Sequence, residues 1–556
     1  MPELGIALLI IPLLAWLADT GRHLVRLLHI LQLEEYETDR YLRWLAADPF
    51  KSIQLPRLIA ALVAIVVAVV IHVLGGPILI VAALWGIVGL ALAITNRRPP
   101  AKKPLKFTAR ASATMVTAGA IAVALVAVGA LVLRPRGALV GIAGVIVGAS
   151  LADLLAGPIL ALANLVFSPA QFLARERIIR QARAKLAAQN VTVVGITGSY
   201  GKTSTKEILA ALLGAKYKVL KTPESYNTPL GIARVILRDL EPDHEVFVVE
   251  MGAYYPGDIG RLCRIARPKV GILTAVNAQH LERMGSVENT ARTKYELIQS
   301  LPADGTAIFN VDNEWCRRLA DQTTTRTLRY GLQPSPDLDL TANDVHTTRW
   351  GVAFTMNVAA GALAKLSGHA GTTETKCVQI EAGLLGRHNA GNILGAAAAA
   401  LACGMTPEEI TRAAARIEPV PHRLEIISGE RGVTVIDDSY NANPDGVAAA
   451  LDVLREFPGK KKVLVTPGMV ELGSSEAEEN RRFGRAAAAV CDAVILVGPK
   501  RTAPIQAGLA EAGYPAEKTF VVASVAEATT RLGTLLAPGD VVLFSNDLPD
   551  TYEEAS

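Results

Sequence analysis

The pattern of hydrophobic and polar positions divides this chain at about residue 170. Before that point apolar runs dominate. Residues 57–74, 77–95, 112–133 and 138–155 are each long enough, or nearly so, to cross a ~30 Å hydrocarbon layer as a helix. Residues 4–17 form a shorter run with no basic leader and no small-residue cleavage site, so they read as an anchor and not as a removed signal peptide. Between residues 17 and 50, Leu24, Leu27, Leu28, Leu31, Tyr36, Tyr41 and Trp44 recur at roughly helical spacing among Arg22, Arg26, Arg40 and Arg43. That spacing predicts an amphipathic helix or helix pair, lying at a membrane surface or packed against the rest of the protein.

The pattern changes after residue 170. A helical linker over 175–188 leads into strand-like runs at 191–196, 245–250, 270–276 and 306–310, alternating with helix-like stretches. This alternation predicts a mostly parallel sheet with flanking helices. Residues 338–385 lose the helical pattern and read as a small antiparallel insertion, and Pro419-Val420-Pro421 marks a boundary. A second α/β unit follows, with strands near 433–436, 462–466, 493–497, 519–522 and 541–544. The expected architecture is an N-terminal α-helical membrane domain followed by two α/β domains. The expected divisions are a membrane region of four or five spans at 1–170, a linker at 171–190, a central domain at 191–420 and a C-terminal domain at 421–556.

Composition supports the apolar reading, because 51% of the 556 residues are hydrophobic and the mean hydropathy is +0.31. Basic residues set an orientation. Arg97, Arg98, Lys102, Lys103, Lys106 and Arg110 form one acid-free loop, and Arg175, Arg177, Arg180, Arg183 and Lys185 follow the last run with Glu176 alone. Both stretches are expected on the cytoplasmic side of a multi-pass cell-membrane protein, with everything after residue 170. The net charge of +4 comes largely from these loops, which points to anionic lipid as a partner and not to nucleic acid. The five cysteines have no Cys-x-x-Cys spacing and read as reduced thiols.

Chemistry enters at Gly195-Ile196-Thr197-Gly198-Ser199-Tyr200-Gly201-Lys202-Thr203-Ser204-Thr205, between a β-branched run and a helix-like segment. Strand, glycine loop and helix turn backbone N–H groups toward phosphates. Lys202 is placed to reach terminal phosphates, and the Thr203 hydroxyl to sit on Mg2+. The general P-loop pattern wants glycine at position 196, where this chain has Ile196.

That glycine spacing resembles the Mur ligases, ATP-dependent amide-forming enzymes of peptidoglycan assembly. Further blocks follow in the family's order from about residue 191 to about 473: Glu250-Met251-Gly252-Ala253, Asn277-Ala278-Gln279-His280, Ala291-Arg292-Thr293-Lys294-Tyr295-Glu296, Gly386-Arg387-His388-Asn389-Ala390-Gly391-Asn392, Pro421-His422-Arg423-Leu424-Glu425 and Asp437-Asp438-Ser439-Tyr440-Asn441-Ala442-Asn443-Pro444. The last block looks like the branch that adds D-alanyl-D-alanine to a muramoyl-tripeptide.

The resemblance implies ATP and Mg2+, with Gly198, Ser199, Gly201, Lys202, Thr203 and Ser204 around the phosphates. It implies Thr203, Glu250, His280 and a carbamylated Lys294 at the metal, with Lys202, Lys294 and His280 catalytic. Asn389 and Asn392 would lie near adenine, Arg423 at the phosphates, Asp438 at the ribose, and Asn227 and Thr228 at phosphate and acceptor. Each has a bland alternative: a strand-end acid for Glu250, a structural histidine for His280, a solvated cation for Lys294, a helix cap for Asn389, an interdomain salt bridge for Arg423 and a turn residue for Thr228.

The implied activity phosphorylates a muramoyl-peptide carboxylate and joins it to D-alanyl-D-alanine or a similar amine. A lipid-linked acceptor, a poly-amino-acid or folate-type ligase and a non-enzymatic ATP-binding scaffold stand as alternatives. Two departures bear on substrate: the family's UDP-binding domain is absent, and Phe544-Ser545-Asn546-Asp547 stands where the branch usually has Lys-Gly-Ser-Arg.

Overall fold

A computed structural model describes residues 2–34, 36–47, 105–133, 138–223, 226–278, 281–367, 374–429, 432–440 and 442–547, with a few single positions between 59 and 87. The expected spans 57–74 and 77–95 lie almost wholly outside these residues, as do His280 and Asn441. The chain forms two compact units, Met1–Arg175 and Glu176–Leu548.

The first unit is helical. Among the described residues its helices are Pro2–Leu33, Thr38–Ala47, Ala109–Leu133, Ala138–Leu154 and the start of Ala156–Ala187. Leu24, Leu27, Leu28, Leu31 and Tyr41 are buried with Ala111, Ala118, Ala156, Ile159 and Leu160. The apolar face of the amphipathic segment therefore packs into this unit's own core. Where helices approach closely the contact residues lack side chains: a Cβ on Gly129 would lie 2.5 Å from the Gly144 carbonyl oxygen. Polar groups fix the register. Thr20 Oγ1 donates to Asp153 Oδ1 at 2.7 Å, and the buried Asn164 amide donates to the Tyr36 carbonyl at 2.9 Å and to Thr38 Oγ1 at 2.8 Å.

The expected location as a multi-pass cell-membrane protein is overturned here. Among the described residues two helices, Ala109–Val132 and Ala156–Ala187, are long and apolar enough to cross a membrane. Ordinary core helices meet the same test, so these two are weak evidence of a membrane protein. Ala138–Leu154 is an apolar helix of 17 residues, at the lower end of the ~17–25 that a span takes. The run 4–17 continues into one helix that carries buried Asp19 and His23. The lipid partner expected from the basic loops is unsupported.

The second unit holds two sheets. In the first, the order is β2(Val219–Lys221), β3(Val246–Glu250), β1(Thr192–Thr197), β4(Val270–Leu273), β5(Thr306–Asn310), β6(Arg326–Gly331), β7(Leu340–Thr348), β8(Gly351–Val358), β9(Lys376–Ala382). Strands β2 to β7 pair in parallel, and β7–β8–β9 is an antiparallel meander on the same sheet. Successive residues of β1 serve opposite faces. Val194 and Ile196 pack with the helices Lys202–Gly214 and His388–Ala402, and Val193 packs with Ile232, Leu262 and Leu297 on the other. The expected linker is the end of helix Ala156–Ala187, whose Ala182 and Leu186 are buried in that second cluster.

The second sheet has the order β10(Glu425–Ser428), β11(Thr434–Asp438), β15(Val541–Ser545), β12(Lys462–Thr466), β13(Ala493–Val497), β14(Thr519–Val522), parallel except for β10. The strands expected from β-branched runs are all present. The short β2, β6 and β10 escaped the sequence reading.

Candidate functional site

Strands β3, β1 and β4 are parallel neighbours, so Glu250, Thr197 and Leu273 end at one edge of the sheet. The chain runs from β1 out to β2, returns to β3, and crosses to β4. A reversal of strand order beside β1 is where open α/β sheets hold ligands.

The loop after β1 is fastened on both sides. Thr197 Oγ1 donates to the Met251 carbonyl at 2.8 Å. The Ser199 N–H donates to the Ala275 carbonyl at 2.7 Å, and Ser199 Oγ accepts from the Asn277 N–H at 3.1 Å. Ser199 thus braces the loop with both groups. A Cβ on Gly198 would lie 1.9 Å from Thr274 Oγ1. Gly201, at φ 82°, precedes helix Lys202–Gly214, and no side chain caps that helix. The first-turn N–H groups of Lys202, Thr203 and Ser204 are left open to an anion.

Lys202 Nζ donates to the Gly198 carbonyl at 2.6 Å, curling over the loop. Burial lowers its pKa to about 8; Glu250 opposes the shift and Arg423 adds to it. Glu250 is 3% exposed, and its Oε2 lacks a hydrogen-bond partner among the described residues. Asn227 Nδ2 reaches Glu250 Oε1 at 3.5 Å. Thr228, by contrast, spends its hydroxyl capping helix Pro229–Asp239 through the Gly231 N–H. The sequence reading missed Lys206, fully buried, with Nζ 3.6 Å from Glu250 Oε2 and 3.1 Å from Glu207 Oε1. Four residues after Lys202 on one helix, it shares that lysine's face, which was the available signal.

Lys294 lies in helix Val287–Gln299 at 3% exposure, with no hydrogen bond or ion pair among the described residues. Burial first, and then the Lys202 charge, hold its pKa well below the usual lysine range. This is no solvated surface cation. His280 lies outside the described residues.

Asn389 and Asn392 occupy one buried face of helix His388–Ala402. Asn389 Nδ2 donates to the Leu385 carbonyl and Asn392 Nδ2 to Asn389 Oδ1, both at 2.8 Å. Asn392 Oδ1 lies 2.6 Å from where a Cβ on Gly201 would be. Asn389 is therefore inside the helix and not its cap, and Asn392 backs the phosphate loop. His388 meets the Tyr200 ring at 5.8 Å between centroids.

The C-terminal sheet brings its own groups. Arg423 stacks on the Tyr440 ring at 4.4 Å, and its buried Nε has no hydrogen-bond partner among the described residues. Asp438 ends β11, and burial raises its carboxyl pKa to about 7, against the pull of Arg423. Asn277 Nδ2 donates to Asp445 Oδ2 at 2.6 Å, tying the loop after β4 to helix Pro444–Glu456. Asn546, at φ 72°, donates from its backbone to the Asp438 carbonyl, accepts from the Ala442 N–H and donates to the Gly468 carbonyl. It knits strand ends where the family's branch carries Lys-Gly-Ser-Arg.

These groups fit a magnesium nucleotide. An open helix N-terminus, Lys202 and Arg423 suit polyphosphate. The Glu250 carboxylate, whose Oε2 has no hydrogen bond and faces Lys206 at 3.6 Å, and the Thr203 hydroxyl are the hard oxygen donors that Mg2+ takes.

Comparison with known proteins agrees. Residues 196–400 match the Mur ligase middle domain, and residues 422–546 match the Mur ligase, glutamate ligase domain. The UDP-N-acetylmuramoyl-tripeptide–D-alanyl-D-alanine ligase of Mycobacterium leprae is 35% identical over 394 residues, 66% of this chain and 73% of the relative. The Escherichia coli protein of the same name is 34% identical, over 63% of this chain and 72% of its own. Among solved structures, MurF ligase from Thermotoga maritima in complex with ADP superposes with a TM-score of 0.57 at 29% identity, covering 67% of this chain and 80% of its own. This chain belongs to the Mur ligase family, ATP- and Mg2+-dependent enzymes that form carbon–nitrogen bonds.

Proposed function

We propose that this protein joins D-alanyl-D-alanine to the terminal carboxylate of a UDP-N-acetylmuramoyl-tripeptide, using ATP. The relatives so named, and the Asp437–Pro444 block, support the substrate pair. The observation that carries the reaction type is the uncapped helix after Gly201, with Lys202 curled over the loop and Glu250 at the adjoining strand end.

The acceptor carboxylate attacks the γ-phosphorus of ATP, ADP leaves, and an acyl phosphate results. The amine then attacks the acyl carbon, loses a proton and expels phosphate, so one amide forms per ATP. Lys202, Arg423 and the N–H groups of the first helical turn hold the polyphosphate and offset the charge that moves onto ADP. Thr203, Glu250, His280 and Lys294 are the proposed metal ligands. Bound there, Mg2+ neutralises charge across the phosphates and orients them.

Lys294 needs one modification to serve. Its neutral Nζ adds to the carbon of CO2 and loses a proton, leaving an N-carboxylate. The depressed pKa supports this, because the neutral amine is the nucleophile. Asp438 takes the ribose hydroxyls, Asn389 and Asn392 line the adenine side, and Asn227, held beside Glu250, meets the acceptor. Thr228 keeps its capping role. The proposed division follows the sequence, with the central domain at 191–420 and the C-terminal domain at 421–556.

The test is product formation from UDP-muramoyl-tripeptide, ATP and candidate amines, read by mass spectrometry. D-alanyl-D-alanine should give one amide, one ADP and one phosphate, and L-glutamate should give none. Amide formation with glutamate in preference to the dipeptide would move the protein to the folate-type branch.

A further inference from the structure

The entry to the C-terminal domain is held in an uncommon backbone shape around Arg423. His422 has φ 59° and Leu424 has φ 50°, a region that residues with a Cβ rarely adopt. Such a conformation persists only when its surroundings over-determine it.

Two bonds at His422 do so. Its N–H donates to Glu425 Oε2 at 3.1 Å, and its Nδ1 meets Asp437 Oδ2 at 2.7 Å. Glu425 and Asp437 are themselves opposed in the β10–β11 ladder. The second Asp437 oxygen accepts from the Ser439 N–H at 3.0 Å, so the carboxylate cannot swing away. Neighbours on a strand face opposite sides. Asp437 therefore turns to His422, and Asp438 turns to the other side, where the Arg423 charge acts on it and it acts on Tyr200. Next to this clamped position the Arg423 guanidinium stacks on the Tyr440 ring. The backbone is held at His422, and the Arg423 Nε has no hydrogen-bond partner among the described residues.

We propose that His422 and Asp437 form a positioning clamp that presets Arg423 for the terminal phosphates of ATP. This rests on the reading of Arg423 as a phosphate-binding cation. The clamp should matter for ATP and not for the other two substrates.

Three variants separate the possibilities. His422→Gly removes the imidazole while easing the left-handed backbone. It should raise KM for ATP roughly tenfold, the effect of one charge-assisted hydrogen bond. KM for the tripeptide and the dipeptide, and the melting temperature, should stay close to the parent values. His422→Asn puts an amide N–H near the Nδ1 position on a residue that tolerates positive φ, and should restore most of the ATP KM. Arg423→Ala is the control for the underlying reading. If it impairs ATP use and His422→Gly does not, the clamp is overturned and the reading stands. A uniform rise in all three KM values with a lower melting temperature also overturns it, since that marks general loosening. If Arg423→Ala is itself without effect, the reading fails and the clamp fails with it.

Discussion

At the scale of single residues, the site carries two opposed titrations. Asp438 is raised to about 7 by burial, so it is protonated, and a poor acceptor for ribose hydroxyls, below that pH. Lys202 is lowered to about 8, so it loses its charge above that pH. Because kcat/KM reports groups of the free enzyme, kcat/KM for ATP should be bell-shaped, with limbs near pH 7 and pH 8. Asp438→Asn should remove the acidic limb and keep the basic one; an unchanged acidic limb would assign it to another group. The sign for stability is separate: a carboxyl raised on folding binds an extra proton between its ordinary value and about 7, so its contribution falls as pH rises through that window. Lys202, Glu250 and Asp438 could be named from the sequence because each ends a strand or opens a helix within a block that resembles the Mur ligases. Lys206, His422 and Asp437 were not, because their roles lie in contacts that spacing alone does not encode.

At the scale of elements, the phosphate loop depends on the alanine-rich helix behind it. Gly201 has φ 82° and faces Asn392 at a distance that leaves no room for a methyl group. Gly201→Ala should therefore lower nucleotide affinity by at least about tenfold, and adds about 1–2 kcal/mol of backbone strain. Thr228→Ala provides the contrast. It removes a helix cap, so it should cost about 1 kcal/mol of stability and leave kcat close to the parent value, measured by thermal unfolding beside a turnover assay. A large loss of kcat with little change in melting would return Thr228 to the substrate site. The sequence foresaw these elements from β-branched runs and the glycine loop. It gave no hint that Asn392 touches Gly201, because those positions meet only when helix His388–Ala402 lies on helix Lys202–Gly214.

At the scale of the whole molecule, the ligase unit begins within a helix and not at its first strand. Ala182 and Leu186 are buried with Ile232, Phe247 and Leu262, and Lys185 Nζ donates to the Leu237 carbonyl at 2.9 Å. A chain starting at Glu176 should unfold cooperatively at a temperature close to that of the intact ligase unit. One starting at Val191 should lose roughly 2–4 kcal/mol with that burial. Apolar runs misled the sequence reading of the first unit. Hydropathy alone does not distinguish a helix that crosses a membrane from one that packs on its neighbours through glycine and alanine. The central claim, that a carboxylate is activated by ATP at the Gly198–Lys202 loop, is tested most directly by isotope transfer. With the tripeptide's terminal carboxylate labelled with oxygen-18, each amide formed should deliver one labelled oxygen to inorganic phosphate, and Lys202→Ala should abolish the transfer. Unlabelled phosphate released alongside the amide would contradict the account.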